Sequence, residues 1–162
     1  MCRTCKGLLC VVPVMLVLGC AASEKGTSNG AAEVVQHMDA LDTELSAHSM
    51  HIANATDMGA VGHEEGSYEQ HFDGHMDAMN GTMSGMAHCM GGQMSGMQEM
   101  SDMMDQARSE EARHHKAMNA ARDLSSAGAE ETGYQQAMSA QLAAMRQQWT
   151  GMKSSGSSCS MM

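Results

Sequence analysis

The sequence predicts an all-α protein, an antiparallel four-helix bundle with a core of Met and Ala side chains. Of its 162 residues, 21 are Met, whereas Phe, Trp and Tyr together number four. β-Sandwich and α/β folds need many β-branched and aromatic side chains, so this composition excludes both. A single Pro, Gly residues gathered in a few places, and apolar residues spaced by three and four indicate helices separated by loops.

Residues 1–19 are typical of a secretory signal peptide, because basic residues precede an apolar run from Leu8 to Leu18 that is too short to span a bilayer. The ending Val-Leu-Gly-Cys at 17–20 resembles the lipobox of bacterial lipoproteins, with Val instead of Leu three residues before the Cys. The resemblance implies that Cys20 is lipidated and becomes the mature N-terminus. Since Ala21 follows it in place of Asp, the resemblance also implies a periplasmic location, anchored to the outer membrane of a Gram-negative bacterium.

The rest of the chain is predicted to form a lipidated flexible tether at 20–30, a helical bundle domain at 31–153 and a disordered tail at 154–162. Apolar steps such as Val34, Met38, Leu41 and Leu45 place helices near 31–57, 67–90, 96–126 and 133–153. The loops between them are short, which makes consecutive helices antiparallel.

Capping boxes support the predicted helix starts, because a hydroxyl and an amide three residues apart satisfy free backbone donors. Three pairs fit this pattern: Ser67 with Gln70, Ser95 with Gln98, and Thr132 with Gln135. The stretch from Asn80 to Gly96 is ambiguous, because the Met period continues through several Gly residues, each costing ~1 kcal/mol in a helix relative to Ala. We expect helix through about Gly85 and then a mobile, Met-rich hairpin.

Charge and cysteine content narrow the classes of partner. With nine Lys and Arg against 19 Asp and Glu, the net charge is −10, which argues against nucleic acid because phosphate binding needs a basic surface.

Once the signal peptide is removed, Cys89 and Cys159 remain with Cys20. In an oxidising compartment these two form either a disulfide or two free thiols.

A Met-rich stretch is the densest candidate for metal binding. Thioether and thiolate sulfur are soft ligands that select Cu(I) and Ag(I), and imidazole binds copper in either oxidation state. The candidate ligands here are Met76, Met79, Met83, Met86, His88, Cys89, Met90, Met94, Met97, Met100 and Met104. Any single Met at such a position could equally fill core space, but Leu packs better, so its replacement needs another reason.

Histidines provide a second candidate site. His71 and His75 are four residues apart and so share a helix face. With the predicted helix bounds, this pair, His48, and Glu111 with His114 lie at similar depth on three helices. His115 and Met118 show a His-x-x-Met spacing common in silver-binding proteins.

Glu111-Ala-Arg-His114 resembles one half of the di-iron motif of ferritin-like bundles, whose second half is absent here. This departure argues against oxygen-activating iron and favours Zn or Cu(II) for a buried carboxylate with imidazoles. An enzyme built on this half-motif is therefore not the expected function. A haem held by His and Met is disfavoured by the shortage of aromatic residues.

Between Met38 and Met118 the composition resembles Met/His-rich periplasmic proteins that bind copper or silver. The resemblance implies a non-catalytic, lipid-anchored protein that sequesters Cu(I), with Ag(I), Cu(II) or zinc as other metals and no organic cofactor. The expected partners are the membrane, through the lipid, and components of copper efflux or oxidase systems. The alternative is a structural or oxidant-scavenging envelope lipoprotein without a specific metal site, in which Met residues are scattered and exposed.

Overall fold

The computed structural model describes the backbone at 26–87 and 94–155 and the side chains at 30–87 and 96–152. These residues form four α-helices and no strands: α1 (Gly26–Ala53), α2 (Met58–Ala87), α3 (Met94–Ala120) and α4 (Leu124–Ser155). The predicted all-α four-helix bundle is confirmed.

The helices run up and down around a square, each packing on its two neighbours. α1 contacts α2 and α4, and α3 contacts the same two helices. The indole N–H of Trp149 donates to the carbonyl of Ala31 over 3.2 Å near the start of α1. Near the other end of α1, the Ser49 hydroxyl donates to Glu131. α1 and α4 are therefore antiparallel.

Apolar side chains fill the interior in two clusters separated along the bundle. The large apolar cluster is rich in Met and includes Phe72 and Trp149. The smaller loop-end cluster lies near the connections at 54–57 and 121–123 and consists of Ile52, Val61, Met118 and Ala127. The interval between the two clusters holds buried ionisable side chains, described below.

Two of the predicted helix starts are wrong. Ser67 lies within α2 and Thr132 within α4, where the Thr132 hydroxyl donates to the carbonyl of Gly128, one turn back. The true N-caps are Asp57, whose carboxylate accepts from the Ala60 amide at 2.9 Å, and Asp123. Both helices begin nine residues earlier than predicted, at Met58 and Leu124 rather than 67 and 133.

Glycine explains the error in α2. Gly59, Gly62 and Gly66 indicated a loop, yet all three lie in the helix. A Cβ added at Gly62 or Gly66 would have no neighbour within 4 Å, so these positions face open space. Burial of the opposite face offsets a propensity cost of ~1 kcal/mol for each Gly.

The other boundaries differ by a few residues. α1 begins at Gly26, inside the predicted tether, and α4 continues to Ser155, just into the predicted tail. α2 continues past Gly85 to Ala87, and the predicted Met-rich hairpin falls largely on 88–93, outside the described residues. The signal peptide at 1–19, Cys20, Cys89 and Cys159 also lie outside them.

Among the described residues, none of the four helices contains an apolar segment long enough to cross a membrane.

Candidate metal centre

Four ionisable side chains, one from each helix, meet in the interior between the two apolar clusters. They are His48 on α1, Glu65 on α2, His114 on α3 and Glu131 on α4, and none is more than 5 % exposed. One ligand atom from each lies within 4.8 Å of the other three. Buried charged groups are costly unless they are paired or bind a metal, so this cluster needs a physical explanation.

The four distances between nitrogen and oxygen match the spacing of ligand atoms around a small metal ion. His48 Nε2 lies 3.0 Å from Glu65 Oε1 and 3.2 Å from Glu131 Oε2. His114 Nε2 lies 3.4 Å and 3.2 Å from the same two oxygens. An ion bound through Zn–N and Zn–O bonds of ~2.0–2.1 Å has ligand atoms about 3.3 Å apart at the edges of the tetrahedron. The four distances join the atoms in a closed loop in which His nitrogen and Glu oxygen alternate.

The four atoms do not satisfy one another as hydrogen-bond partners. Both Nε2 atoms, Glu65 Oε1 and Glu131 Oε2 are buried without a hydrogen bond of acceptable geometry. Most buried polar side-chain atoms in proteins have such a partner, since leaving one unpaired costs about 1–3 kcal/mol. Four orphaned atoms at ligand spacing are the arrangement that a bound cation would satisfy.

Electrostatics in the cluster link the imidazoles to the carboxylates. Burial alone would lower the pKa of His48 and His114, but Glu131 and Glu65 outweigh it and raise both pKa values to about 9. For Glu131 the directions are reversed. Burial alone would raise its pKa, but the two imidazoles and the Ser49 hydroxyl lower it to about 2. Without metal, two imidazolium ions therefore balance two carboxylates near neutral pH, and a divalent ion would replace two protons.

Two tyrosines hold the imidazole rings in place. The His48 ring stacks on Tyr68 with centroids 4.3 Å apart, and the His114 ring stacks on Tyr134 at 3.9 Å. The two phenol oxygens are 3.0 Å apart and share a hydrogen bond. Burial raises the pKa of both phenols, which keeps them neutral. The rings are thus packed in the orientation that aims both Nε2 atoms at the centre.

Outer carboxylates face the far side of each imidazole. Glu64 Oε1 lies 3.5 Å from His48 Nδ1, and Glu130 Oε1 lies 3.8 Å from His114 Nδ1. In metal sites a carboxylate that accepts the second ring N–H fixes which nitrogen binds the ion; here both Nδ1 atoms are buried without a hydrogen bond of acceptable geometry, so the two carboxylates lie beside the rings without forming that bond.

Of the predicted layer of histidines, the structure brings His48 and His114 together and places His71 and His75 elsewhere. Those two lie beside Glu44, at 3.8 Å and 3.4 Å from its Oε1, and His75 Nδ1 is 2.9 Å from His37 Nδ1. The misplaced start of α2 caused this error, because it shifted the apparent depth of every residue on that helix. The predicted ligands Glu111 and His115 form a separate group with Glu69.

The predicted methionine ligands lie mainly in apolar surroundings. The large apolar cluster contains Met76, Met79, Met83, Met86, Met100 and Met104, with Met97 packed against it. Met118 belongs to the loop-end cluster. His88, Cys89, Met90 and the side chain of Met94 are outside the described part of the structure.

The sequence prediction missed the candidate ligands Glu65 and Glu131, although an internal repeat marks them. Tyr68 and Tyr134 are 66 positions apart, and the same separation relates His48 to His114 and Glu65 to Glu131. It also relates further residues with matching roles: the caps Asp57 and Asp123, and the outer carboxylates Glu64 and Glu130. Gly30 and Gly96 are related in the same way, since a Cβ added at either would meet Met86 or Met152, which are themselves 66 positions apart. Each half of the chain is a helical hairpin that supplies one His and one Glu.

Known proteins give no further guide to this site. The chain matches no protein-family model, no curated protein and no solved structure.

Proposed function

We propose that this protein binds a divalent transition-metal ion between its four helices, through His48, His114, Glu65 and Glu131. The observation that carries the proposal is the set of four buried ligand atoms, one from each helix, that lie within 4.8 Å of one another without a hydrogen bond of acceptable geometry. Two imidazoles and two carboxylates are borderline and hard donors, which suit Zn²⁺ or Cu²⁺ better than Cu(I). All four ligands would come from the protein, as in closed structural sites, so binding is proposed rather than catalysis.

The proposed setting is the periplasm, with the chain held at the outer membrane by a lipid on Cys20. Support for it comes from the signal-like segment at 1–19 and the lipobox-like residues at 17–20. An anchored, acidic protein with a buried metal site would retain metal ions in that compartment, and partners of copper efflux or oxidase systems would exchange them.

Zinc binding to the purified protein tests the central proposal. Isothermal titration with Zn²⁺ should show tight binding, and His114→Gln should weaken it by at least 100-fold, because the variant removes a ligand and leaves a carboxylate unbalanced. His71→Gln is the matched control: its ring is 59 % exposed and lies outside the four-ligand group, so affinity should not change. Equal affinity in wild type and His114→Gln, or no binding by wild type, would overturn the proposal.

Cu(I) binding by thioethers is the second candidate function. It is favoured by the burial of Met side chains at helical spacing along one face of α2, at Met76, Met79 and Met83. Competition with a chromophoric Cu(I) chelator should then show binding by wild type that is lost when these three residues are replaced by Leu. Full retention of Cu(I) by the Leu variant would mean that the methionines serve only to pack the core.

Oxidant scavenging is less well supported. It requires accessible sulfur, and among the described methionine side chains only Met50, at 57 %, is exposed.

A further inference from the structure

The two halves of the repeat differ beside the metal centre. On the α2–α3 side lie Glu69, Glu111 and His115, and one ligand atom from each is within 4.8 Å of the other two. The positions 66 residues away, on the α1–α4 side, hold side chains that would not form such a site. They are Gln135, Leu45 and Ser49, respectively.

This difference changes the surroundings of the two central carboxylates. Ser49 donates its hydroxyl to Oε1 of Glu131, so the oxygen that faces away from the centre is satisfied within the protein. His115 occupies the equivalent position next to Glu65, with Nδ1 3.8 Å from Oε2. That distance is too long for a hydrogen bond, and His115 Nδ1 is buried without a partner.

Glu111 is a second ionisable group at this position. It is only 5 % exposed, and within the described residues it forms no hydrogen bond and no ion pair. Burial and the nearby Glu69 carboxylate raise its pKa. The equivalent Leu45 packs in the large apolar cluster, so a carboxylate has taken a position where the fold accepts a hydrocarbon side chain.

Glu65 faces both groups of ligands. Its Oε1 points to the two imidazoles of the four-ligand centre, at 3.0 Å and 3.4 Å, and its Oε2 faces His115. His115 Nδ1 is also 3.8 Å from Glu69 Oε2. A carboxylate placed between two groups of ligand atoms can bind one ion through each oxygen.

We propose that Glu69, Glu111 and His115, together with Oε2 of Glu65, hold a second divalent metal ion, and that Glu65 bridges the two ions. This inference rests on the proposed function, which supplies the first ion. Three carboxylates and one imidazole make the second position richer in oxygen than the first, which favours a harder ion such as Mn²⁺ or Fe²⁺ alongside Zn²⁺. His115 is 30 % exposed, so the second ion lies nearer the solvent and exchanges first.

The repeat itself supplies a variant to test the second site. Glu69→Gln, Glu111→Leu and His115→Ser combined introduce the residues that the other half of the chain carries at the same positions. The purified full chain is saturated with Zn²⁺, freed of excess ion by gel filtration and analysed by elemental mass spectrometry, with helicity followed by circular dichroism. Wild type should retain two zinc ions per chain and the triple variant one, with equal helicity.

Each other outcome has a distinct meaning. One zinc ion in both proteins would overturn the second site and leave the first intact, whereas none in wild type would overturn the proposed function itself. Two ions in both proteins would place the second ion elsewhere and refute this inference. If the triple variant does not fold, the single variant His115→Gln replaces it, since this side chain is partly exposed, and the same loss of one ion is expected.

The bridge is tested separately with Co²⁺. Two high-spin Co²⁺ ions joined by a carboxylate couple magnetically, so the electron paramagnetic resonance signal per ion should be weaker in fully loaded wild type than in the one-ion triple variant. Equal signal per ion would show that the two ions do not share Glu65.

Discussion

At the scale of single residues, the centre depends on groups that the apolar core would normally exclude. Glu65 and Glu131 occupy positions on the buried faces of α2 and α4, between apolar neighbours such as Val61 and Ala127. The two glutamates stand at core-facing positions of the same apolar period that predicted the core, so the sequence pattern places them in the interior. They were not predicted as site residues because the predicted starts of α2 and α4, at 67 and 133, lie after Glu65 and Glu131.

The metal-free protein should be most stable in mildly acidic solution. The pKa values of His48 and His114, raised to about 9, contribute stability that is complete below about pH 6.5 and is lost as pH rises towards 9. Glu131, with its pKa lowered to about 2, contributes stability that is complete above about pH 4.5 and is lost as pH falls. Urea unfolding in the presence of EDTA should therefore show a maximum between about pH 4.5 and 6.5. Stability that increases steadily from pH 6 to 9 would contradict these pKa shifts.

The pair of tyrosine hydroxyls should behave non-additively. Tyr68→Phe leaves the buried Tyr134 hydroxyl without its partner, so we expect a loss of about 1–3 kcal/mol in unfolding free energy. The double change to Phe removes both polar groups and should cost less than the sum of the single changes. Zinc affinity should change little, since both rings keep their stacking on the imidazoles; a double-mutant cycle with parallel zinc titration measures both effects. A fully additive cycle would mean that the two hydroxyls are independently solvated.

At the scale of helices, the apolar period predicted the number, type and direction of the elements correctly, and local start signals failed. Ser67 and Thr132 have capping-box partners in sequence, but neighbouring turns of helix already satisfy the backbone there. Asp57 and Asp123 carry the caps, and their 66-residue separation would have identified them. A repeat constrains boundaries more strongly than an isolated short motif, because both copies must agree.

The cap on α2 gives a direct test. Asp57→Ala should lower the unfolding free energy by about 1 kcal/mol, because the Ala60 amide loses its acceptor. Asp57→Asn is the control, because the Asn side-chain oxygen can accept the same hydrogen bond. Its unfolding free energy should stay within about 0.3 kcal/mol of wild type. Equal losses in the two variants, measured by urea unfolding, would show that charge rather than capping matters.

Replacing a helical glycine that faces open space should increase the unfolding free energy, in contrast to the loss expected for Asp57→Ala. Gly66→Ala should raise the unfolding free energy by about 0.5–1 kcal/mol, because the added Cβ meets nothing within 4 Å and helix propensity improves. Gly96→Ala should not be stabilising, because its Cβ would lie 2.7 Å from Met152 Sδ. Thermal or urea unfolding of both variants measures the difference. A stabilised Gly96→Ala would mean that Met152 moves aside freely.

At the scale of the whole molecule, metal binding should couple the four helices, since each contributes one ligand. Zn²⁺ at 100 times its dissociation constant adds about 2.7 kcal/mol to folding, which corresponds to a rise of roughly 10 °C in Tm for a domain of this size. Adding EDTA should return the Tm of wild type to its metal-free value. The Tm of His114→Gln should change neither with Zn²⁺ nor with EDTA. A Tm that does not respond to Zn²⁺ in calorimetry would contradict a site shared by all helices.

Composition and periodicity could predict the bundle because they report which faces are apolar. They could not predict the complete ligand set, since a buried Glu and a solvent-exposed Glu look the same in composition. Only the position of Glu65 relative to Val61, Tyr68 and Phe72 distinguishes it, and that requires the correct helix start.

The repeat also bears on how such a centre could arise. One hairpin supplies a His, a Glu and a Tyr, and a two-fold axis would carry these onto the second set. Two identical half-length chains associating face to face could therefore enclose an ion before any fusion of the halves. Joining them in one polypeptide would free each half to change independently, and the Leu45 and Glu111 positions are one place where the two halves differ.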